Sequence, residues 1–246
     1  MQLKMLKEKE NIERWAILID MEGFSELWHK EDQVLRSLGE LMRSIFRIGR
    51  MCFPDSPERL FAHQISDGFL VVSDFGEDNL ERAITIAVAL MQHVAATGRL
   101  TKAAISEGEL SDIQSCYPRE VLNELESDHR VSLRMGLMTI FPIMGTALIR
   151  AAKVAKTSPS GPLLIIEKSK ATRIPPHIPL CEVQNSDQLS IDWVNMNSEL
   201  LSKIQSEAGL SQLGSEKLKE LLATYCTEHK LPEKWVNGVR TYLGVV

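Results

Sequence analysis

Apolar and polar positions alternate in two regimes along the chain, a mixed stretch followed by a helical tail. Trp15 to Ile19 form an apolar run ending in Asp20, which predicts a buried strand over 14–20. Phe24, Leu27, Trp28, Val34, Leu35, Leu38, Leu41, Met42, Ile45 and Phe46 then recur every three or four residues with charges between them. That spacing predicts one long amphipathic helix beginning near Gly23 and stopped by Pro54-Asp55-Ser56-Pro57. Residues 59–65 and 68–74 read as the strands of a hairpin closed at Ser66-Asp67-Gly68. A second helix follows over 78–97, with Gly98 as its stop.

Leu100 to Ser106 is strand-like, 108–130 reads as a loop with a helical turn, and 131–141 is apolar and strand-like. Gly145 opens a short helix from Ala147 to Lys156. Strands are expected again at Leu163–Ile166 and Leu189–Trp193, with Pro175, Pro176 and Pro179 marking extended chain between them. Beyond about residue 195 the pattern becomes helical over 197–208, 214–229 and 231–242, broken at Gly209 and Gly214. The order β-α-β-β-α-β-(loop)-β-α-β-β predicts an α+β fold. Its expected core is a ferredoxin-like βαββαβ unit with a mostly antiparallel sheet, and a C-terminal helical extension follows. The boundaries are a flexible N-terminus over 1–13, one domain over 14–194 and the extension over 195–246.

Composition narrows the classes. The net charge of −5 argues against nonspecific nucleic-acid binding, which needs clustered Lys and Arg. No apolar run is long enough to span a bilayer, and the charged N-terminus is unlike a secretory signal. Cys52, Cys116, Cys181 and Cys226 are far apart with no CxxC pair, so buried reduced thiols in a cytoplasmic protein are expected, not zinc or disulfides.

Asp20 and Asp67 are the candidate chemistry. A carboxylate at the end of an apolar strand costs free energy unless it meets a cation or hydrogen-bond donors. Two of them on adjacent strands have the makings of a clamp for a divalent metal against a triphosphate. The structural alternatives are a helix N-cap for Asp20 and a favoured Asp-Gly turn for Asp67.

These segments resemble the class III nucleotidyl cyclase catalytic domain. In that family a strand ends in a turn of the form Asp-Ile-x-Gly-Phe-Ser/Thr, and Asp20-Met21-Glu22-Gly23-Phe24-Ser25 is similar to it. The family's second metal aspartate lies in the β2–β3 turn, the place of Asp67. Lys102 to Glu109 looks like the family's later glycine-containing strand, Gly145 to Lys153 like its Gly-x-x-hydrophobic…Ala-x-Arg helix, and Gly161 to Ile166 like its last Gly-x-hydrophobic strand. The resemblance covers about residues 14–194. The chain departs from purine cyclases at three places. His63 stands where they carry a purine-selecting Lys or Glu, Ile149 where they carry the transition-state Asn, and Lys153 where they carry the transition-state Arg. Altered base and transition-state sets beside retained aspartates look more like the bacterial Pycsar pyrimidine cyclases, from which Lys102-Ala103 departs.

The resemblance implies a cytoplasmic enzyme that converts UTP or CTP to the 3′,5′-cyclic monophosphate and pyrophosphate, as an antiphage second-messenger synthase. It implies two divalent metals, Mg²⁺ or Mn²⁺, held by Asp20, Asp67 and the Met21 carbonyl. Gly23, Phe24 and Ser25 would present backbone N–H groups to the β- and γ-phosphates, His63 would read the base, and Lys153 or Arg150 would face the α-phosphate. Glu22 is expected to be an exposed turn residue. A head-to-tail homodimer with composite sites follows, with no nucleic acid and no membrane as partner. The apolar positions from Val131 to Phe141 would serve the interface or the core. Leu221, Tyr225 and Trp235 of the extension would stabilise the fold, pad the dimer or bind a partner. The alternatives are an adenylate or guanylate cyclase with an atypical base pocket and a catalytically inactive nucleotide-binding or dimerisation module.

Overall fold

The structure is a computed structural model that describes residues 13–23, 31–52, 60–73, 76–112, 116–126, 129–140 and 143–245, with residues 31–34 described as backbone only. Residues 1–12, most of the expected N-terminal tail, lie outside the described residues, as do Phe24, Leu27 and Trp28 of the first helical pattern.

Strand β1 (Arg14–Met21) runs through the interior of a seven-stranded sheet. It pairs antiparallel with β3 (Gly68–Ser73) on one side and with β4 (Thr101–Gly108) on the other. Beyond β3 lies β2 (Leu60–Ile65), its hairpin partner. Beyond β4 lies β9 (Leu164–Glu167), the one parallel neighbour in the sheet, then β11 (Gln188–Ile191) and β10 (Leu180–Glu182). The neighbourhood β4-β1-β3-β2 is the strand order of a ferredoxin-like core, as the sequence pattern predicts.

Alternation along β1 divides its side chains between two faces. Trp15, Ile17, Ile19 and Met21 enter the main core. Ala16 joins Leu70, Val72 and Ala147 in a small cluster on the other face. Helix α2 (Glu81–Ala95) packs on β1 and β4, and α1 (Glu31–Met51) packs on α2. On the opposite face lies α4 (Thr146–Thr157), against β4 and β1. A five-residue helix, α3 (Arg119–Asn123), is the helical turn expected in the 108–130 loop.

Phe141 lies outside the described residues, and the rest of the 131–141 stretch departs from expectation. It forms a small separate hairpin of β6 (Arg130–Leu133) and β7 (Gly136–Thr139), not a strand of the main sheet. Val131 is buried, whereas Leu133, Met135 and Leu137 are exposed, so these apolar positions do not fill the core. Two-residue strands β5 (Ser111–Asp112) and β8 (Ile143–Met144) pair with each other. The hairpin partner of β11, strand β10, carries no apolar alternation and was not expected from the sequence. All four cysteines are free, but Cys116 is exposed and only Cys52 is fully buried, so the expectation of buried thiols fails for Cys116.

The helical tail forms α5 (Glu199–Glu207), α6 (Ser215–Glu228) and α7 (Glu233–Leu243). Ser198 caps α5 by accepting from the Leu201 N–H. The tail is packed into the same core, with Leu201, Ile204, Leu218, Leu222 and Val239 buried. A buried amide chain ties it down: Gln205 donates to Gln92 Oε1, and Gln92 donates to the Trp193 carbonyl, each at 2.8 Å. Among the described residues no helix is long and apolar enough to cross a membrane.

Candidate active site

Asp20 stands near the C-terminal end of β1, in register with Gly68 on β3 and Lys102 on β4. Asp67 precedes Gly68 in the two-residue turn between β2 and β3, where Ser66 takes a positive φ of 54°. The turn therefore delivers the second carboxyl to the end of the first strand. Gly68 is the residue that permits the approach. A Cβ there would lie 2.4 Å from the Ile19 carbonyl oxygen and 2.9 Å from Asp20 Oδ1.

The two carboxyls interact directly. Asp67 sits within hydrogen-bonding and Coulombic reach of Asp20. Crowding of the Asp20 carboxyl by neighbouring atoms, and then the Asp67 charge, push it up from 3.8 to about 6. The residue as a whole is exposed, so the crowding acts at the carboxyl while open solvent remains on one side. Asp20 Oδ1 accepts the Met21 N–H at 3.1 Å. Residues 24–30, where a helix capped by Asp20 would begin, lie outside the described residues.

Mutual repulsion of this kind is what a bound cation relieves, and two carboxylates with a neighbouring carbonyl are a hard-oxygen donor set suited to Mg²⁺ or Mn²⁺. Among the described residues no group of three or more His, Cys, Asp or Glu side chains gathers into a metal cage, so backbone oxygens and substrate would have to complete the coordination. Met21 turns its side chain into the core, so only its backbone is available at the site.

Two further groups flank the pair. Lys102 is half-buried, and burial lowers its ammonium against the opposing pull of Glu22 and Asp20. Its Nζ donates to the Pro159 carbonyl at 2.7 Å. Glu22 was expected to be an exposed turn residue. It is instead half-buried, its N–H donates to the Leu100 carbonyl at 2.9 Å, and its Oε2 accepts the Trp235 indole N–H at 2.6 Å. Sequence reasoning placed neither Lys102 nor Trp235 in the site. The register of β4 is the signal for Lys102. The contact to Trp235 spans 213 residues and left none.

No protein-family model and no curated protein matches the sequence. Among solved structures the chain is similar to the guanylyl cyclase Cya2, with a TM-score of 0.45, 11% identity, and coverage of 74% of this chain and 93% of that one. It is also similar to two structures of a bacterial light-regulated adenylyl cyclase, with TM-scores of 0.46 and 0.47 and identities of 12% and 11%. For both, 89% of this chain is covered, and it spans 58% of theirs.

The remaining predicted residues divide by position. His63 lies on β2 opposite Leu70, on the same sheet face as Asp20, and is half-buried. Burial and then His129 lower its imidazole, so it is neutral near pH 7. Gly23 sits in a turn after β1 with a φ of 73°. Phe24 and Ser25 lie outside the described residues. Arg150 is drawn to the other end of the sheet, where its Nη1 donates to the Glu107 carbonyl at 2.8 Å and pairs with Glu13 at 3.7 Å. Trp15, not Asp20, faces Glu107, which puts Arg150 roughly 16 Å from the aspartates at the usual strand rise. Lys153 is exposed in a cleft with Thr157, Lys168 and Gln188, on the β9–β11 side of α4. Asp20, Asp67, Met21, Gly23 and His63 thus share one end or face of the sheet, and Arg150 and Lys153 do not join them.

Proposed function

We propose that this protein is a metal-dependent nucleotidyl cyclase acting on a pyrimidine nucleoside triphosphate. The observation that carries the reading is the apposition of Asp20 and Asp67 at one end of a ferredoxin-like sheet, with repulsion between them that a cation would relieve. The reaction joins the ribose 3′-oxygen to the α-phosphorus and releases pyrophosphate. Bound divalent ions would supply the charge that activates the attacking oxygen and neutralises the leaving group.

The chain's own residues would bind and orient. Asp20, Asp67 and the Met21 carbonyl would hold the ions. Gly23, with Phe24 and Ser25, would offer backbone N–H groups to the β- and γ-phosphates. The neutral His63 imidazole has one donor and one acceptor nitrogen, a match for a pyrimidine edge. In this scheme Lys153 reaches the α-phosphate from a second copy of the chain. Its exposure leaves it available, whereas Arg150 is already engaged. A head-to-tail homodimer with two composite sites follows from that division. The antiphage second-messenger role rests on the resemblance to the Pycsar enzymes.

The test is incubation with each of the four nucleoside triphosphates and Mn²⁺, with mass detection of cyclic product. Product from UTP or CTP alone is expected, and product from ATP or GTP would overturn the pyrimidine assignment. A silent nucleotide-binding module is the second reading. It is favoured by Ile149, 61% exposed at the place where the family carries a polar transition-state residue. Nucleotide binding with no product from any of the four would establish it.

A further inference from the structure

The C-terminal helix α7 reaches the aspartate site by two routes. The first is direct: the buried Trp235 donates its indole N–H to Glu22 at 2.6 Å, one residue beyond the Met21 carbonyl and two beyond Asp20. Glu22 in turn contributes to the electrostatic field at both Asp20 and Lys102. Tyr225 of α6 stacks on the Trp235 ring at 5.8 Å between centroids, so the indole is braced from behind.

The second route runs through the turn after α4. Gly238 packs so closely on that turn that a Cβ would fall 2.1 Å from the Ser160 carbonyl oxygen. The preceding residue, Pro159, accepts the Lys102 ammonium, and Pro162 accepts the Trp193 indole N–H at 2.7 Å. Glu22 is therefore held by α7 itself, and Lys102 by the residue next to one that α7 touches.

We propose that α7 is a working part of the site and that Trp235 is a positioning residue. Through Glu22 it sets the Asp20–Met21 segment in the geometry that binds the divalent cation. This rests on the metal-site reading given above. The indole N–H fixes one rotamer of Glu22. Loss of that donor removes one of the contacts that hold the carboxylate, and the field at Asp20 changes with its position.

The experiment measures Mn²⁺ binding by electron paramagnetic resonance of the free ion, with no turnover required, on the full chain and on W235F, E22Q and the double variant. W235F keeps most of the ring packing and removes the donor. W235F and E22Q are each expected to weaken Mn²⁺ binding about tenfold. The double variant is expected to lose no more than E22Q alone, because both changes cut the same path. Additive losses, or W235F binding as tightly as the unaltered protein, overturn the positioning role while leaving the metal site standing. Failure of the unaltered protein to bind Mn²⁺ overturns the metal site and this role together. Thermal melts followed by circular dichroism establish that each variant is folded, and W235L, which also lacks a donor, takes the place of W235F in the cycle if the phenylalanine variant is not.

Discussion

Arg173 closes a bidentate pair on the buried Glu107 carboxylate, with Nε at 3.0 Å and Nη2 at 2.6 Å. Lys170 adds a third contact at 3.3 Å, and Arg173 also donates to the Glu77 and Asp78 carbonyls. The pair fastens the 3₁₀ turn Lys168–Arg173 to the end of β4 farthest from Asp20. Arg173→Met is expected to cost about 3 kcal/mol of stability, because a buried carboxylate then loses its main partner. Urea unfolding measures it. The Mn²⁺ affinity of the folded fraction is expected to stay unchanged, since the aspartates lie at the other end of the strand.

The pH dependence of stability should report Asp20. The native carboxyl holds its proton to about 6, whereas the unfolded chain releases it near 3.8. The native state therefore binds more protons between those values. The contribution is fully present below the lower value and is lost as pH rises through the upper one. Exposure of the residue limits the swing to on the order of 1 kcal/mol. Urea midpoints at pH 4.5 and 7.5 should differ less in Asp20→Asn than in the unaltered protein. Cyclic product should vanish in that variant, and Mn²⁺ should raise the melting temperature of the unaltered protein at pH 7.5 but not that of the variant.

Gly68→Ala tests the close approach at the turn. Its new Cβ meets the Ile19 carbonyl oxygen, which is backbone and has little room to give. A loss of about 2 kcal/mol is expected by urea unfolding, together with weaker Mn²⁺ binding as Asp20 is displaced.

His63→Lys replaces a neutral ring with a fixed ammonium on the face shared with Asp20. If His63 reads the base, the ratio of cyclic products from a mixture of the four triphosphates should move by about tenfold, or 1.4 kcal/mol. An unchanged ratio would remove His63 from the base pocket.

Much of the architecture was legible because the apolar periods are long and strong. The stripe of α2, the run of β1 and the three tail helices all announce themselves, and the Gly98 stop appears with a φ of 81°. The β2–β3 hairpin was legible from its Ser-Asp-Gly turn, and with it the nearness of Asp67 to Asp20. The 131–141 stretch misled because exposed apolar residues on a small hairpin carry the same local signature as a buried strand. Leu35, Met42 and Phe46 of α1 are likewise exposed despite lying in a helical stripe. Glu22 misled for the opposite reason. It meets Trp235, and a contact spanning 213 residues obeys no local period.

That long-range contact bears on how the protein is made. The indole that meets Glu22 is synthesised 213 residues after it. During translation the strand carrying Asp20 can pair with its hairpin neighbours long before the ring that braces the adjoining glutamate has left the ribosome. A nascent chain halted short of residue 235 would display both aspartates on a sheet already formed, yet would lack the last brace beside them.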